Sequence, residues 1–338
     1  MNKLFFTGLI CAIILFFGTP LKTYAQQNAF VDVFQDTMNV KMLVTNRGLF
    51  TALRQLESDE SLKFAPNNRS YLGVGGYVWD LGFQFHFPLP ITWFFDRART
   101  TESRITDVQA TLYRKKWLVE GVFQWYRNLY LSDDQSLDNL AEGIQEGNIR
   151  ARRIMVGASH LFTGEQVSVK APFNRNLRQV QSAGSFMLTG GFSSIELEGE
   201  ESVIPLGARE RFANDTSLTE ISAISVFARP GYAYNFVYNK FFFHLSGSLG
   251  LALQYKIYKD EEGRHTNWGV APNYNVKGAT GFDNGKYFAG VSSVFTFGSV
   301  QVDQIRLLET SRNLQLFVGY RFAEPQWLRD LKPGFLNW

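Results

Sequence analysis

The feature that most constrains the fold is an alternation of side-chain type over residues 241–258. One set of alternate positions is mainly apolar or aromatic, and its members are Phe241, Phe243, Leu245, Gly247, Leu249, Leu251, Leu253, Tyr255 and Ile257. The other set is mainly small or polar, and its members are Phe242, His244, Ser246, Ser248, Gly250, Ala252, Gln254 and Lys256. Because successive side chains of a strand point to opposite faces, this period of two predicts a β-strand and not a helix.

The predicted strand is about twice the usual strand length of a globular protein. Its apolar face has aromatic residues toward both ends, and its other face is small and polar. A strand that crosses a bilayer within a closed barrel places apolar side chains toward lipid, polar ones toward the lumen and aromatic rings at the two interfaces. The sequence therefore predicts an all-β fold, a transmembrane antiparallel up-and-down β-barrel in the outer membrane.

The first 25 residues read as a secretory signal peptide. Lys3 is followed by an uncharged apolar run over residues 4–17, and Ala25 ends a stretch suited to cleavage. The run is too short to span a bilayer as a helix. Ile10 precedes Cys11, which argues against a lipoprotein because a small residue is expected there. We expect signal-peptide-directed export, a periplasmic lead-in over residues 26–38, the barrel over residues 39–322 and a periplasmic tail over residues 323–338.

Composition agrees with an exported barrel. Cys11 is the chain's one cysteine, so no disulfide framework follows the predicted signal. Losing Lys3 and Lys22 with the signal would leave 32 basic residues against 31 acidic ones, which gives no indication of nucleic-acid binding. Aromatic residues make up 15% of the chain and charged residues 19%, against about 25% charged in a typical soluble domain.

The rest of the chain divides into about twelve predicted strands, with ten or fourteen as alternatives. Connections alternate between long and short, and an even strand number places both barrel ends of the chain in the periplasm. Residues 259–271 and 298–310 are predicted as outer loops. Residues 163–181 are too long for a plain turn, and a strand extension through residues 167–171 is one interpretation.

Several stretches together resemble a family of uncharacterised Bacteroidetes-type proteins known only as a domain of unknown function. They are SYLGVGGYVWDLGFQFHFPLP (70–90), KKWLVEGVFQWYRNLY (115–130), SAGSFMLTGGF (182–192), RPGYAYNFVYNKFFFHLSGSLGLALQY (229–255) and LFVGYRF (316–322). The resemblance covers nearly all of the chain after the predicted signal. It implies one outer-membrane barrel and no assigned activity. Residues 314–322 also look like the terminal strand that the outer-membrane assembly machinery recognises, although sixteen residues follow it here.

One combination of residues has the composition of a hydrolase site. His244 and Ser246 share a face of one strand, and Asn235 lies on the preceding strand. A Ser–His–Asn set is a known layout for acyl hydrolysis, but this face is predicted to point into the lumen and the chain has no G-x-S-x-G motif. Filler of a small barrel interior is the more conservative interpretation, because geometry and not spacing identifies such a triad. We therefore expect no enzymatic activity.

Two charged groups suggest partners at the outer surface. An acidic stretch, made of Asp133, Asp134, Asp138, Glu142 and Glu146, lacks the EF-hand pattern and reads as a solvated loop, so we expect no metal site and no cofactor. Arg150 and Arg152 follow it, and arginine suits phosphate, which makes lipopolysaccharide a candidate partner beside outer-membrane lipid. Snorkelling, or pairing with the acidic stretch, explains the two arginines equally well.

Strand parity places a third group of polar residues inside the barrel. The predicted lumen-lining set is Glu120, Gln124, Arg153, Arg229, His244, Gln254, Lys256 and Arg321. Unpaired charges in a packed lumen are costly, so these groups must pair or line water. Glu120 begins near the periplasmic end and Arg153 near the outer end, so these two are not expected to meet.

Three functions remain open from the sequence. A barrel of about twelve strands lies between filled eight-stranded interiors and sixteen-stranded channels. We expect a narrow pore or a small-solute binding or translocation barrel. A structural or assembly barrel that displays its loops to a protein partner is the second hypothesis, and a lipid-acting hydrolase is the third.

Overall fold

The protein was analysed as a computed structural model that describes residues 29–34, 37–57, 60–66, 70–78, 81–88, 103–114, 116–131, 149–204 and 217–330. The described chain is almost entirely antiparallel β-structure. Its strands are β1 Val31–Val33, β2 Thr37–Gln55, β3 Ser61–Ala65, β4 Ser70–Val78, β5 Leu81–Pro88, β6 Arg104–Arg114, β7 Trp117–Leu131, β8 Ile149–Leu161, β9 Leu177–Gln179, β10 Ala183–Gly199, β11 Glu220–Tyr238, β12 Phe241–Asp260, β13 Gly263–Asp283, β14 Tyr287–Val302 and β15 Ile305–Ala323. Two short helices are α1, Ala171–Asn174, and α2, Gln326–Asp330. None of the described helices is long and apolar enough to cross a membrane.

The barrel closes where its last strand meets its first long one. β15 pairs with β2 from Ile305 opposite Gln55 to Ala323 opposite Thr37. The short strand β3 bridges β2 and β7, which completes a ring of ten strands in the order β2, β3, β7, β8, β10, β11, β12, β13, β14 and β15. Three further strands attach to this ring, with β4 and β5 beside β2 and β6 beside β7. The predicted antiparallel barrel is confirmed, and ten ring strands fall within the predicted range.

The outer surface carries the apolar belt that a bilayer requires. On β12, Leu249 and Leu251 are 64% and 61% exposed, whereas Ser248 between them is only 6% exposed. Phe186 and Phe192 on β10 and Leu316 on β15 are outward and exposed in the same way. Large apolar side chains exposed over so many neighbouring strands are costly in water and stable against lipid. The fold is that of an outer-membrane barrel.

Two predicted outer loops are instead tight hairpins. β12 continues to Asp260 and β13 begins at Gly263, so most of residues 259–271 is strand. β14 and β15 likewise run into a two-residue turn at Asp303 and Gln304. The prediction of long loops at these two places was wrong, because strands that project above the membrane have no lipid-facing side and lose the apolar alternation.

The outer half of the lumen is filled by an apolar layer. Buried side chains from eight strands and one loop meet there, among them Leu49 on β2, Tyr126 on β7, Ile195 on β10 and Leu307 on β15. A bulge at Asn128, which has φ of 59°, resets the alternation of β7 so that Tyr126 and Leu129 both point inward. The layer closes the outer end to water in this conformation, because packed side chains leave few voids of molecular size.

The periplasmic end is filled by a different element. We assign as periplasmic the end at which β2 begins and β15 ends, as the rule for bacterial barrels requires. Residues 163–181, here called the plug segment, do not form a strand extension but fold back into this mouth through turns, α1 and β9. β9 pairs with β1 in a separate two-stranded sheet, with Asp32 opposite Arg178.

Candidate functional site: the plugged periplasmic vestibule

The plug segment has an internal framework that fixes its shape. Pro172 lies in the first turn of α1, where its missing N–H costs nothing, and Arg175 ends the helix with φ of 63°. The Ser168 hydroxyl accepts a hydrogen bond from the Ala171 amide at 3.1 Å. The Gln179 amide group donates to the Gln166 and Gln181 carbonyls at 2.7 and 2.9 Å. The segment is thus a folded insert with its own hydrogen bonds.

Four side chains of the barrel wall hold the plug segment by its backbone carbonyl oxygens. Asn235 Nδ2 donates to the Ser168 carbonyl at 3.0 Å, and Arg321 Nε donates to the Arg175 carbonyl at 2.6 Å. Lys41 Nζ donates to the Phe173 carbonyl and Asn39 Nδ2 to that of Asn174, both at 3.4 Å. The wall therefore offers a ring of donors, two of them cationic, and carbonyl oxygens of the plug segment occupy it. We call the space that these donors surround the vestibule.

Positive charge dominates the vestibule. Arg321 forms a buried bidentate pair with Asp283, at 2.8 Å from Nη1 to Oδ1 and 2.6 Å from Nη2 to Oδ2. Arg175 of the plug segment lies flat over the Phe242 ring at 3.7 Å and close to the Phe317 ring at 5.0 Å. Burial, opposed by Asp283 and reinforced by Arg321, lowers the pKa of Arg175 to about 9. One carboxylate thus faces several cationic groups, and the balance favours an anionic occupant.

The Ser–His–Asn set predicted from the sequence lies in the wall of this vestibule and is joined by hydrogen bonds. His244 Nδ1 is 2.7 Å from Asn235 Oδ1, and His244 Nε2 is 3.1 Å from Ser246 Oγ. All three side chains are buried, and His244 is fully so. The Phe173 ring of the plug segment packs edge-on against the His244 ring at a centroid distance of 5.5 Å. The plug segment therefore covers the three residues from the periplasmic side.

Two ion pairs cross the middle of the lumen. Arg153 on β8 pairs with Glu309 on β15 at 2.8 Å, and their side chains are 2% and 1% exposed. Glu120 on β7 pairs with Lys277 on β13, five positions away in the ring of ten. As the parity argument anticipated, Glu120 and Arg153 have different partners. These pairs act as struts between opposite walls, so the lumen is narrow at mid-depth.

The remaining predicted lumen residues bind neighbouring strands. Gln124 is buried and donates to Asp107 at 3.0 Å, and Arg229 donates to Asn273 at 2.8 Å. Gln254 donates to the Ser299 carbonyl at 2.8 Å and Lys256 to that of Gln301 at 2.7 Å. These side chains tie strands together and do not join the vestibule.

The charged residues of the outer rim have local partners. Arg150 lies 3.9 Å from Glu198, and Arg152 pairs with Glu196, both on the adjacent β10. The acidic stretch over residues 133–146 lies outside the described residues. Among the residues that the structure describes, no group of three or more His, Cys, Asp or Glu side chains is arranged to hold a metal ion.

Sequence reasoning missed the donors Asn39 and Lys41 and the acidic partners Asp283 and Glu309. Asn39 and Lys41 occupy alternate inward positions of β2, so parity along that strand is the signal that could have found them. Glu309 falls within residues predicted as a loop, and Asp283 within a predicted turn. No pattern in the sequence shows that residues 163–181 enter the barrel, because the wall binds their backbone and not their side chains.

Comparison with known proteins places the chain in a family. The profile of the family described as "Domain of unknown function (DUF4421)" matches residues 26–322. The chain belongs to this family. No curated protein matches it in sequence.

Solved structures add a distant likeness. The outer membrane protease OmpT from Escherichia coli is similar with a TM-score of 0.36 and 9% identity, over 88% of this chain and all of that one. The Pseudomonas putida toluene transporter TodX has a TM-score of 0.25 and 9% identity, over 87% and 91%. The attachment invasion locus protein Ail of Yersinia pestis has a TM-score of 0.18 and 9% identity, over 84% and 99%. At such values the likeness carries nothing about activity.

Proposed function

We propose that this DUF4421 protein is an outer-membrane barrel that binds a small anionic solute in its periplasmic vestibule, and that the solute displaces the plug segment. The observation that carries the proposal is the set of four wall donors on plug carbonyl oxygens, from Asn39, Lys41, Asn235 and Arg321. Carboxylate and phosphate oxygens accept the same hydrogen bonds more strongly when the donor is charged. A free anion and the plug segment therefore compete for one set of groups.

The interior favours binding over an open pore. The apolar layer fills the outer half of the lumen, and the two ion pairs cross its middle. Passage through the whole barrel would require three successive barriers to move. Loading from the periplasm requires only the plug segment to move, and export by the predicted signal peptide would place the protein where such solutes reach it.

A cysteine experiment tests this proposal. With Cys11 replaced by Ser, a reporter thiol is introduced by Ser292→Cys, which lies inward and level with His244 through the pairs His244–Ala279 and Ala279–Ser292. A second pair, Val33→Cys and Leu177→Cys, joins opposite residues of β1 and β9 and locks the plug segment when oxidised. The reagents are an anionic and a cationic methanethiosulfonate of similar size.

The anionic reagent is expected to modify the reporter about tenfold faster than the cationic one, and oxidation of the lock is expected to slow both at least tenfold. Citrate or phosphate should slow the modification by competing for the donors. Planar-bilayer recordings should give no steady conductance. Equal rates with the lock open and closed, or faster reaction of the cationic reagent, would refute the proposal.

A second function is favoured by one different observation. β13 pairs with β14 only from Tyr274 to Asp283, so residues 263–273 have β12 as their single described neighbour. A projecting strand with a free edge can add a strand from a partner, as the display hypothesis requires. A photo-crosslinker at Asn267 that yields one stoichiometric adduct, absent when it is placed at lipid-facing Leu249, would support display. Adducts with lipid alone at both positions would dismiss it.

A further inference from the structure

Two hydrogen bonds arrange Ser246, His244 and Asn235 in the order that nucleophilic acyl transfer needs. Asn235 Nδ2 donates to two acceptors, the Ser168 carbonyl and Gln179 Oε1 at 3.1 Å, and this fixes which amide atom faces His244. Asn235 Oδ1 can only accept, so His244 Nδ1 carries the proton. His244 Nε2 is then an acceptor, and the Ser246 hydroxyl donates to it over 3.1 Å.

We propose that these three residues are a latent acyl-hydrolase site that acts on small water-soluble acyl esters once the plug segment leaves. Ser246 is the nucleophile, His244 the general base and Asn235 the residue that orients the imidazole, which are the roles that define such a triad whatever the fold. The opening step rests on the proposed function, because solute binding is what moves the plug segment. The chemistry itself rests on the three side chains alone.

A cationic group lies where the reaction develops negative charge. Lys277 is directly opposite Ser246 in the β12–β13 ladder, and side chains of opposite residues share a face. Its ammonium group pairs with Glu120 and lies at the lumen side of Ser246. A fixed positive charge beside a nucleophile stabilises the oxyanion of a tetrahedral intermediate. A site that needed only filler would not require this charge next to the hydroxyl.

The position of the site limits its substrates. Ser246 points into the lumen and not toward lipid, since Leu245 and its neighbours carry the lipid-facing side of β12. It lies five residues from the start of β12, roughly 17 Å along the strand. Acyl chains embedded in the bilayer cannot reach it through the wall, whereas a short soluble ester can enter from the periplasm after Phe173 withdraws from His244.

The reaction balances with water as the one co-reactant. Ser246 Oγ bonds to the acyl carbon while its proton passes to His244 Nε2. The tetrahedral intermediate collapses, and the alcohol leaves with that proton. Water then attacks the acyl-serine bond, His244 again takes the proton and returns it to Ser246 Oγ, and the free acid departs.

Activity-based labelling tests the inference on the full chain in detergent micelles and in liposomes. A fluorophosphonate probe forms a covalent bond to an activated serine with loss of fluoride, and mass spectrometry locates it. Two variants open the site, Phe173→Ala and a plug deletion in which a Gly-Ser linker replaces residues 164–181. The inactive variants Ser246→Ala and His244→Gln are built in the Phe173→Ala background, and Ser248→Ala serves as the matched control on the same face of β12. Retarded migration on unheated gels checks that each barrel is folded.

The probe is expected to label Ser246 at least about 100-fold faster in the opened variants than in the parent, and His244→Gln is expected to remove that gain. The opened variants should also hydrolyse 4-nitrophenyl butyrate, with Ser248→Ala unchanged. Asn235→Ala should lower the rate and Asn235→Asp should restore part of it, an effect that mere packing would not produce. Absence of label on Ser246 in a folded opened variant overturns the inference. If the Ser292→Cys reporter still responds to the lock, the proposed function survives that result.

Discussion

The buried pair of Arg153 and Glu309 gives the sharpest prediction about stability. The two side chains are almost fully enclosed, lie 2.8 Å apart and join β8 to β15 across the lumen. Removing one partner leaves the other charge buried without compensation, which costs about 3–5 kcal/mol, whereas replacing both by apolar groups of similar volume is often neutral or stabilising. Glu309→Leu alone should therefore lower the free energy of unfolding by about 3–5 kcal/mol. Adding Arg153→Met should recover most of that loss.

A double-mutant cycle measures this coupling. Unfolding by guanidinium chloride in micelles is followed by tryptophan fluorescence, and the coupling free energy is expected to be at least about 2 kcal/mol. The matched control is Arg150 with Glu198, which lies 3.9 Å apart with both side chains nearly half exposed, and for which about 0–1 kcal/mol is expected. If both cycles give less than 1 kcal/mol, or if the double variant is as unstable as either single one, the strut interpretation is wrong.

Three further predictions concern the membrane belt, the plug segment and the outer hairpin. Leu249→Arg, near the middle of the lipid-facing side, should cost about 2–4 kcal/mol of unfolding free energy in liposomes, and a cost near zero would argue against lipid at that position. Because the folded-state pKa of Arg175 is lowered to about 9, the folded protein binds fewer protons than the unfolded chain above that pH, so plug docking should strengthen as pH rises through 9. Arg175→Met should abolish that dependence, measured as the modification rate of the Ser292→Cys reporter. Desolvation acts to raise the pKa of Asp260, but hydrogen bonds from His265 and the amides of residues 262 and 263 outweigh it and lower the pKa, so amide protection at the hairpin tip should persist above pH 3.8 and be lost as pH falls below it.

The sequence predicts the membrane-spanning wall well because lipid imposes a pattern on it. Wherever one face of a strand meets hydrocarbon and the other a polar lumen, side chains alternate, as around Leu249 on β12. That pattern disappears above the membrane, where residues 263–270 of β13 are mostly exposed on both faces. The hairpin there is built by backbone hydrogen bonds, which leave no periodic trace in residue type. The same reason hid the strand that contains Glu309.

The vestibule was only half predictable for a related reason. His244, Ser246 and Asn235 could be placed on one face by counting, since adjacent strands with a tight turn have a fixed register. Their burial depends on residues 163–181, which reach the wall through backbone carbonyl oxygens. Every residue type carries that group, so the sequence could not distinguish a plug segment from an external loop.

The three layers of the interior differ in how easily they can move, and this difference locates function at the periplasmic end. Moving the apolar layer would expose many buried side chains at once, and breaking either ion pair would strand a charge in the lumen. The plug segment can leave as a unit, because it keeps its internal hydrogen bonds and gives up side-chain donors that water or a solute can satisfy. Local stability is lowest where contacts are few and replaceable, and elements that move for binding are drawn from such regions. A disulfide between Val33→Cys and Leu177→Cys should therefore abolish access to the vestibule while raising the unfolding midpoint of the barrel only slightly. If the lock instead stabilised the whole barrel as strongly as the Arg153 strut does, the plug segment would be part of the rigid core and not a movable gate.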